Sequence, residues 1–379
     1  NSKKLRKNDI FFAIKGKNND GNKFIKEAIN KKCSLVITNK INKKLSKTKQ
    51  IAVKNTLNFL TECASDYRKV IKSNIIGITG SCGKTTLKEL LGNSMKKIAK
   101  TYFSPKSYNN KFGVPLSLLN LKQDNKFGIF EVGMDKKGEI NFLSKILEPD
   151  LGIITNISYA HSKNFKNIKE IAEAKSEIIE NIRPGGILIL NEDDKFFKFL
   201  KHIANKKKLT IFSFSLKNKT SYVNLIKIIK QANNFKIYFK VGSKIHFYYS
   251  NNIAKNHLQN LLAAITVISL FFELKKIPKN IFLDFKPPEG RGDISKLRFK
   301  DKIINFVDES YNSNPLSLET ALTNFANINS KKSIKHVLLG DMLELGRNSE
   351  SLHLSMTNII NKLKIDKVHI YGKDIKKTY

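Results

Sequence analysis

Cysteine is scarce in this chain: Cys33, Cys63 and Cys82 stand at unrelated spacings with no C-x-x-C. That excludes a disulfide framework and a zinc knuckle, and it points to a reduced, cytoplasmic setting. Long apolar runs are missing as well. The longest, residues 261–272, is too short to cross a bilayer and reads as a buried helix, so no membrane insertion is expected. No signal peptide is visible and no internal repeat occurs. The chain starts at Asn1 and stops at Tyr379, just past a strand-like run at 367–370, as expected of a fragment missing both ends. Arginine is rare, occurring only at Arg6, Arg68, Arg183, Arg291, Arg298 and Arg347, although Lys and Arg total 69 against 32 acidic residues. The formal net charge of +37 taken alone suggests nucleic acid or an anionic membrane surface. Phosphate-reading surfaces, however, favour the guanidinium fork, and lysine is spread here through every segment. The charge therefore reads as a solvated coat that attracts anionic substrates, with no nucleic-acid partner.

What the chain does have is a phosphate-binding signature. The apolar β-branched run Ile75-Ile76-Gly77-Ile78 passes through Thr79-Gly80-Ser81-Cys82-Gly83 into a helix-forming segment that opens with Lys84-Thr85-Thr86. Glycines let backbone N–H groups converge on an anion, and the helix adds its positive end. Lys84 supplies a mobile charge, and the Thr85 hydroxyl is suited to Mg²⁺. The strict G-x-x-x-x-G-K-[ST] pattern is narrowly missed, because Ile78 stands where its first glycine should be.

At 379 residues, two or three domains are expected. Residues 1–72 alternate strand (10–14), loop, helix (23–30), strand (34–38) and helix (59–70), a small α/β unit. From 73 to 287, apolar runs at 75–79, 127–132, 152–155 and 186–190 alternate with helical stretches at 139–147 and 168–181. This predicts a mostly parallel sheet with helices on both faces. Consecutive strands at 209–214, 223–229, 235–241 and 245–249 predict a β-meander lying against that sheet, followed by a helix over 256–274. Residues 288–379 form a third α/β unit: a strand pair (296–299, 303–308), a helix after Pro315, a strand (337–339), a helix (350–362) and a last strand.

In open parallel sheets, ligands sit beyond the carboxyl ends of the strands. Besides the glycine-rich turn, the polar residues placed there are Glu131, Thr155-Asn156 and His161. Mg²⁺ is a hard cation that takes few protein ligands, and Thr85, Glu131 and His161 are able to supply them.

These residues resemble the Mur ligase family, the ATP-dependent enzymes that build the peptidoglycan stem peptide. The resemblance runs the length of the chain. It rests on Gly80-Ser81-Cys82-Gly83-Lys84-Thr85-Thr86, Tyr108-Asn109-Asn110-Lys111-Phe112-Gly113-Val114-Pro115, Glu131-Val132-Gly133, Gly138-Glu139-Ile140 and Thr155-Asn156 with Ala160-His161. It continues through Ala174-Lys175-Ser176-Glu177-Ile178, Asn260, Gly290-Arg291-Gly292, Asp308-Glu309-Ser310-Tyr311-Asn312-Ser313-Asn314-Pro315 and Gly340-Asp341-Met342-Leu343-Glu344-Leu345-Gly346. The glycine offset is also the family's own spacing.

The resemblance implies three domains: a small N-terminal α/β domain, a central parallel-sheet ATPase domain and a C-terminal Rossmann-like domain. It implies a cytoplasmic, monomeric enzyme that moves the γ-phosphate of ATP to a peptide carboxylate, after which an amine displaces phosphate. Tyr311-Asn312-Ser313-Asn314-Pro315 favours the branch that adds D-alanyl-D-alanine to UDP-N-acetylmuramoyl-tripeptide. The alternative is the neighbouring branch that adds the third stem residue, which carries a Tyr-Ala-His-Thr-Pro type of segment.

By the same resemblance, Lys84, Lys175, His161 and Arg291 are catalytic, and ATP is held by residues 79–86 with Asn260 and Arg291. Two Mg²⁺ ions are implied at Thr85, Glu131, His161 and a Lys175 carbamate derived from CO₂. Read without the family, Lys175 would be a helix-surface lysine. Asn109 and Asn110 fall at substrate and phosphate contacts, Asn260 near the adenine. Asp308, Tyr311, Asn312 and Asn314 lie in the domain that closes over the nucleotide and helps bind the dipeptide. Several positions depart from the family pattern. Asn1-Ser2-Lys3 replaces Asp-Ser-Arg at the uridine site, where Ser2 is the matching residue, and Lys106-Ser107 replaces Gly-Asn.

Overall fold

The computed structural model describes residues 2–16, 18–160, 162–300, 302–328 and 334–378. The N-terminal unit is a parallel sheet of β1 (Ile10–Phe12), β2 (Leu35–Thr38) and β3 (Gln50–Ala52), with α1 (Ile25–Asn30) between the first two strands. The three-residue β3 is too short for a sequence pattern to reveal. Next comes α2 (Thr56–Val70), which starts where Asn55 accepts the backbone N–H groups of Leu57 and Asn58.

Among the described residues the central sheet has nine strands. In chain order they are β4 (Asn74–Thr79), β5 (Thr101–Phe103), β6 (Phe127–Glu131), β7 (Leu151–Ile154), β8 (Ile187–Asn191), β9 (Thr210–Ser215), β10 (Val223–Lys230), β11 (Phe235–Val241) and β12 (Lys244–Ser250). Between them run α3 (Lys84–Lys96), α4 (Gly113–Leu119), α5 (Glu139–Leu147), α6 (Ile168–Glu180) and α7 (Phe197–Lys206), and α8 (Lys255–Phe271) follows. Across the sheet the order is β12-β11-β10-β9-β8-β7-β4-β6-β5.

A sheet covered on both faces needs strands with apolar interiors, and β4 (Ile75–Ile78) and β6 (Phe127–Phe130) have them. Ile76, Ile78, Phe127 and Ile129 enter a core with α3 and α8, whereas Ile75 and Phe130 enter a second core with α5 and α6. Residues 261–268 are buried in α8, as the apolar run predicts.

The meander differs from expectation. Instead of lying against the sheet it continues it: β9 pairs parallel to β8, β10 parallel to β9, and β11 and β12 add antiparallel. β10 pairs with the end of β9 at Phe214 and Ser215, giving the edge there backbone partners that stacking on a face would not supply. Helix α2 also reaches beyond the N-terminal unit, packing on α4 and α5. Its buried Arg68 donates to Leu147 O at 2.6 Å and to Asp150 Oδ2 at 2.9 Å.

The third unit contains the antiparallel hairpin β13 (Asp293–Phe299) and β14 (Lys302–Asp308), then α9 (Pro315–Ala326), β15 (His336–Gly340), α10 (Ser349–Lys362) and β16 (Lys367–Tyr371). Strands β15 and β16 pair in parallel, a βαβ arrangement. Among the described residues no helix is long and apolar enough to cross a membrane.

Candidate active site

The carboxyl ends of β4, β6 and β7 lie side by side and open on a cavity of about 1300 Å³. After Thr79 the chain turns through Gly80 and Gly83 into α3. Gly80 has φ +140°, and a Cβ there would fall 2.0 Å from Thr155 Oγ1; Gly83 has φ +84°, with Asn260 Oδ1 2.9 Å from its would-be Cβ. Only glycine fits either position. The loop is stitched to the segment after β7: Ser81 N donates to Asn156 O at 2.8 Å, Cys82 N to Asn156 Oδ1 at 2.9 Å, and Thr155 Oγ1 to Cys82 O at 2.6 Å. Thr155 and Asn156 thus shape the loop and leave the helix end facing the cavity.

Two lysines converge on one carbonyl. Lys84 Nζ donates to Gly80 O at 2.7 Å and Ser81 O at 3.2 Å, and Lys175 Nζ reaches the same Gly80 O at 3.0 Å. Lys175 is 1% exposed, so the helix-surface reading is wrong: its position on α6 points under the loop. Loss of water, reinforced by the nearby Lys84 charge, drives the Lys175 amine well below the ordinary lysine pKa. Lys84 is also lowered, by burial first, with Glu131 pulling the other way.

Thr85 Oγ1 donates to Glu131 Oε2 at 2.7 Å, and Asn109 Nδ2 donates to Glu131 Oε1 at 2.7 Å. Glu131 is 1% exposed, and both of these partners are neutral. A buried carboxylate held by a hydroxyl and an amide, open to a cavity, is a hard-oxygen donor set that fits Mg²⁺. Among the described residues no cluster of three His, Cys, Asp or Glu side chains is present. His161, the third expected ligand, lies outside the described residues.

The opposite wall comes from the third unit. Arg291 stacks on the Tyr311 ring at 4.0 Å, and the Tyr311 hydroxyl donates to Ser107 Oγ at 3.0 Å. Ser107 in turn lies 3.5 Å from Thr85 Oγ1. Asn314 begins α9 as its N-cap, accepting from Ser317 N, and its Nδ2 lies 3.1 Å from Cys82 Sγ. A second bridge joins Lys163 N to Glu344 O at 2.8 Å. The third unit is therefore docked over the phosphate loop.

The cavity brings together Ser81, Cys82, Gly83, Lys84, Thr85 and Thr86 with Asn109, Asn110, Glu131 and Asn260, and faces them with Arg291, Tyr311, Asn312 and Asn314. Asn110 Oδ1 also accepts from Phe112 N and Gly113 N where the chain enters α4. Other expected residues lie outside the lining. Thr79 is buried in β4, Gly80 and Lys175 sit behind the loop, and Asp308 Oδ1 caps Ser310 N at 2.9 Å. Ser2 is buried in the N-terminal unit, where its carbonyl accepts Lys31 Nζ at 2.8 Å. Ser107 and Glu309 line the cavity although the sequence reading assigned neither a role. Their only signal was position, within the 106–115 and 308–315 motifs.

Comparison with known proteins matches this arrangement. The profile of the Mur ligase middle domain fits residues 78–268. A Rickettsia prowazekii protein named UDP-N-acetylmuramoyl-tripeptide--D-alanyl-D-alanine ligase is 32% identical, over 100% of this chain and 83% of its own length. The protein of the same name from Buchnera aphidicola of Acyrthosiphon pisum is 34% identical, over 98% and 80%. A crystal structure of MurF from Acinetobacter baumannii superposes with a TM-score of 0.87 at 27% identity, covering 100% of this chain and 81% of that one. MurF from Thermotoga maritima in complex with ADP shares the fold, with a TM-score of 0.81 at 22% identity, over 100% and 93%. A glycine-turned loop carrying Lys84, backed by the buried Glu131 and closed by a third domain, is thus set in a chain that belongs to the Mur ligase family.

Proposed function

We propose that this chain is an ATP-dependent carbon–nitrogen ligase that joins D-alanyl-D-alanine to UDP-N-acetylmuramoyl-tripeptide, yielding the UDP-linked pentapeptide, ADP and phosphate. One observation carries the reading: a phosphate loop with Lys84 and the Thr85–Glu131 pair faces Arg291 and Tyr311 across a single cavity. The curated relatives of that name, similar along nearly the whole chain, support it.

A carboxylate does not condense with an amine unaided. Transfer of the γ-phosphate to the tripeptide carboxylate gives an acyl phosphate, whose phosphate then leaves when nitrogen attacks. Both reactants are anions, so cations must gather around the transfer. Lys84 stands on the loop and Arg291 enters from the third domain, fixed by its stacking on Tyr311. Thr85 and Glu131 would hold Mg²⁺, which when bound neutralises phosphate charge. Asn109, by holding Glu131, orients that donor set without adding charge. Closure of the third domain through Tyr311, Asn312 and Asn314 keeps water from the acyl phosphate.

Lys175 is assigned to a carbamate: its neutral amine adds to CO₂, forming an N–C bond and releasing one proton. The lowered pKa supports this, because only the unprotonated amine reacts. The enzyme is further taken to act in the cytoplasm as a monomer. Phosphate release is expected only when UDP-tripeptide and D-alanyl-D-alanine are both present. Release with meso-diaminopimelate or L-lysine on the shorter UDP-dipeptide would assign the neighbouring step instead.

A further inference from the structure

Lysine is spread through the whole chain, but acid is not. Between Asp194 and Glu273 there is no Asp or Glu, while fourteen lysines occur there, and all 32 acidic residues lie outside this stretch. A bias toward lysine does not by itself remove carboxylates from one region. The stretch supplies α7, β9 to β12 and α8. Elsewhere, surface lysines such as Lys69, Lys100 and Lys163 are paired with carboxylates. Among the described residues none of the fourteen forms an ion pair.

Part of that charge is gathered on one bare face. On its inner side the meander packs into the core of α8 through Ile237, Phe239 and Tyr248. Because side chains alternate along a strand, the outer side carries Lys236, Tyr238 and Lys240 of β11, opposite Tyr249, Phe247 and Ile245 of β12. From β10, Lys227 lies beside Tyr238 and Ile229 beside Lys236. A bulge between Leu225 and Lys227 leaves Ile226 without a cross-strand partner, and both Ile226 and Ile229 are exposed. Ile245, on the edge strand, is 64% exposed. Lacking carboxylate partners, the ammonium groups rest on rings. Lys236 Nζ lies 3.9 Å from the Phe247 centroid, Lys227 Nζ 5.1 Å from that of Tyr238, and Lys279 Nζ 5.5 Å from that of Phe247. None of these residues lines the catalytic cavity.

A partner for this face must be anionic, must accept apolar contact beside the charge, and must be broad, since three strands present it. Single-stranded nucleic acid meets the first demand and fails the second. Base stacking needs free ring faces, which here carry ammonium groups, and isoleucine offers no π surface. The stretch also holds no arginine. An anionic bilayer meets all three demands. Lysine stems lie along apolar surface while their heads reach phosphate, aromatic rings settle at headgroup level, and exposed isoleucines enter the acyl boundary. We propose that the outer face of β10, β11 and β12 docks this chain on an anionic phospholipid surface as a peripheral contact. The support for this face is independent of the ligase reading.

The full chain contains no tryptophan, so a single one placed on the face reports its surroundings. In Ile245→Trp, emission is expected to shift to the blue on mixed phosphatidylglycerol–phosphatidylcholine vesicles at about 0.1 M salt, and to stay unmoved on phosphatidylcholine alone. Ile303→Trp, on the exposed β13–β14 hairpin, should not shift. The triple variant Lys227→Gln/Lys236→Gln/Lys240→Gln is expected to weaken vesicle binding on the order of 10²-fold, at about fivefold per lysine near an anionic surface. Lys43→Gln/Lys72→Gln/Lys122→Gln removes the same charge from exposed positions elsewhere and should change binding by less than about twofold, since charges away from the contact are screened. Circular dichroism and a cooperative unfolding transition show that each variant is folded. If the triple variant is not, Lys227→Gln/Lys240→Gln, which keeps the Lys236 contact with Phe247, carries the same comparison. No vesicle binding by the wild type, no shift in Ile245→Trp, or a shift in Ile303→Trp in its place would overturn the proposal. Equal loss in both lysine sets would do so too, by making the charge a uniform coat. So would binding of a single-stranded RNA homopolymer that is lost in the triple variant while vesicle binding is kept, which would make the face a nucleic-acid platform.

Discussion

The two walls of the cavity are built differently. On the central side, Thr85 and Glu131 stand at the ends of elements whose cores are sealed, with Ile76, Ile78, Leu90 and Leu91 fully buried beneath them. On the facing side, Tyr311 is 55% exposed, and the β13–β14 hairpin beside it leaves Ile294, Phe299 and Ile303 largely uncovered. The third unit's own core is small, centred on Leu322, Leu339, Met342 and Met356. One wall is held by packing, the other by a few polar bridges such as Tyr311–Ser107 and Asn314–Cys82. A phosphate cradle needs donors fixed before the anion arrives, whereas a wall that admits a second substrate must be able to leave.

That contrast is open to test. Lys84→Ala, on the packed wall, is expected to lower turnover by at least about 10³-fold, since it removes the phosphate loop's own mobile charge from the transfer. Steady-state phosphate release checks it, and substantial retained activity would break the assignment. Lys175→Ala should also be severely impaired, and short carboxylates added to the assay should restore part of the rate. A variant working at the wild-type rate would rule out the carbamate.

Stability should divide along the same line. Leu91→Ala, in the sealed core, is expected to destabilise the chain by about 2–5 kcal/mol. On the hairpin, Leu297→Ala should stay within about 0.5 kcal/mol. Denaturant unfolding of the two variants reads the difference, and equal values would contradict a loosely packed third unit. Between those two falls the bridge. Asn314→Ala removes the N-cap of α9, worth about 1 kcal/mol, together with the contact to Cys82. It should raise the KM for ATP more than it lowers kcat. A change in kcat alone would place Asn314 in the chemistry and not in closure.

Much of this site was legible in the chain because its signals are local. A glycine that must adopt positive φ, a lysine at a helix start and a carboxylate ending an apolar strand are each visible within a few residues, as Gly83, Lys84 and Glu131 show. The β-meander was misplaced for the opposite reason. Strand propensity says where a strand lies and is silent on whether its edge or its face finds a partner, and β10 found the edge of β9. Lys175 was likewise unreadable from its neighbours Glu173, Ser176 and Glu177, because helix position alone does not tell which side is covered.

By itself, then, the order of residues determined the alternating elements and the phosphate loop, since both follow from short-range backbone geometry and apolar periodicity, and its ordered motifs carried the resemblance to the family. Only the tertiary structure decided that Lys175 is stripped of water beneath Gly80 and that Asp308 turns away while Glu309 faces the cavity. Burial and charge environment are set by groups distant in the chain, and those are what give an ionisable side chain its proton affinity and its use.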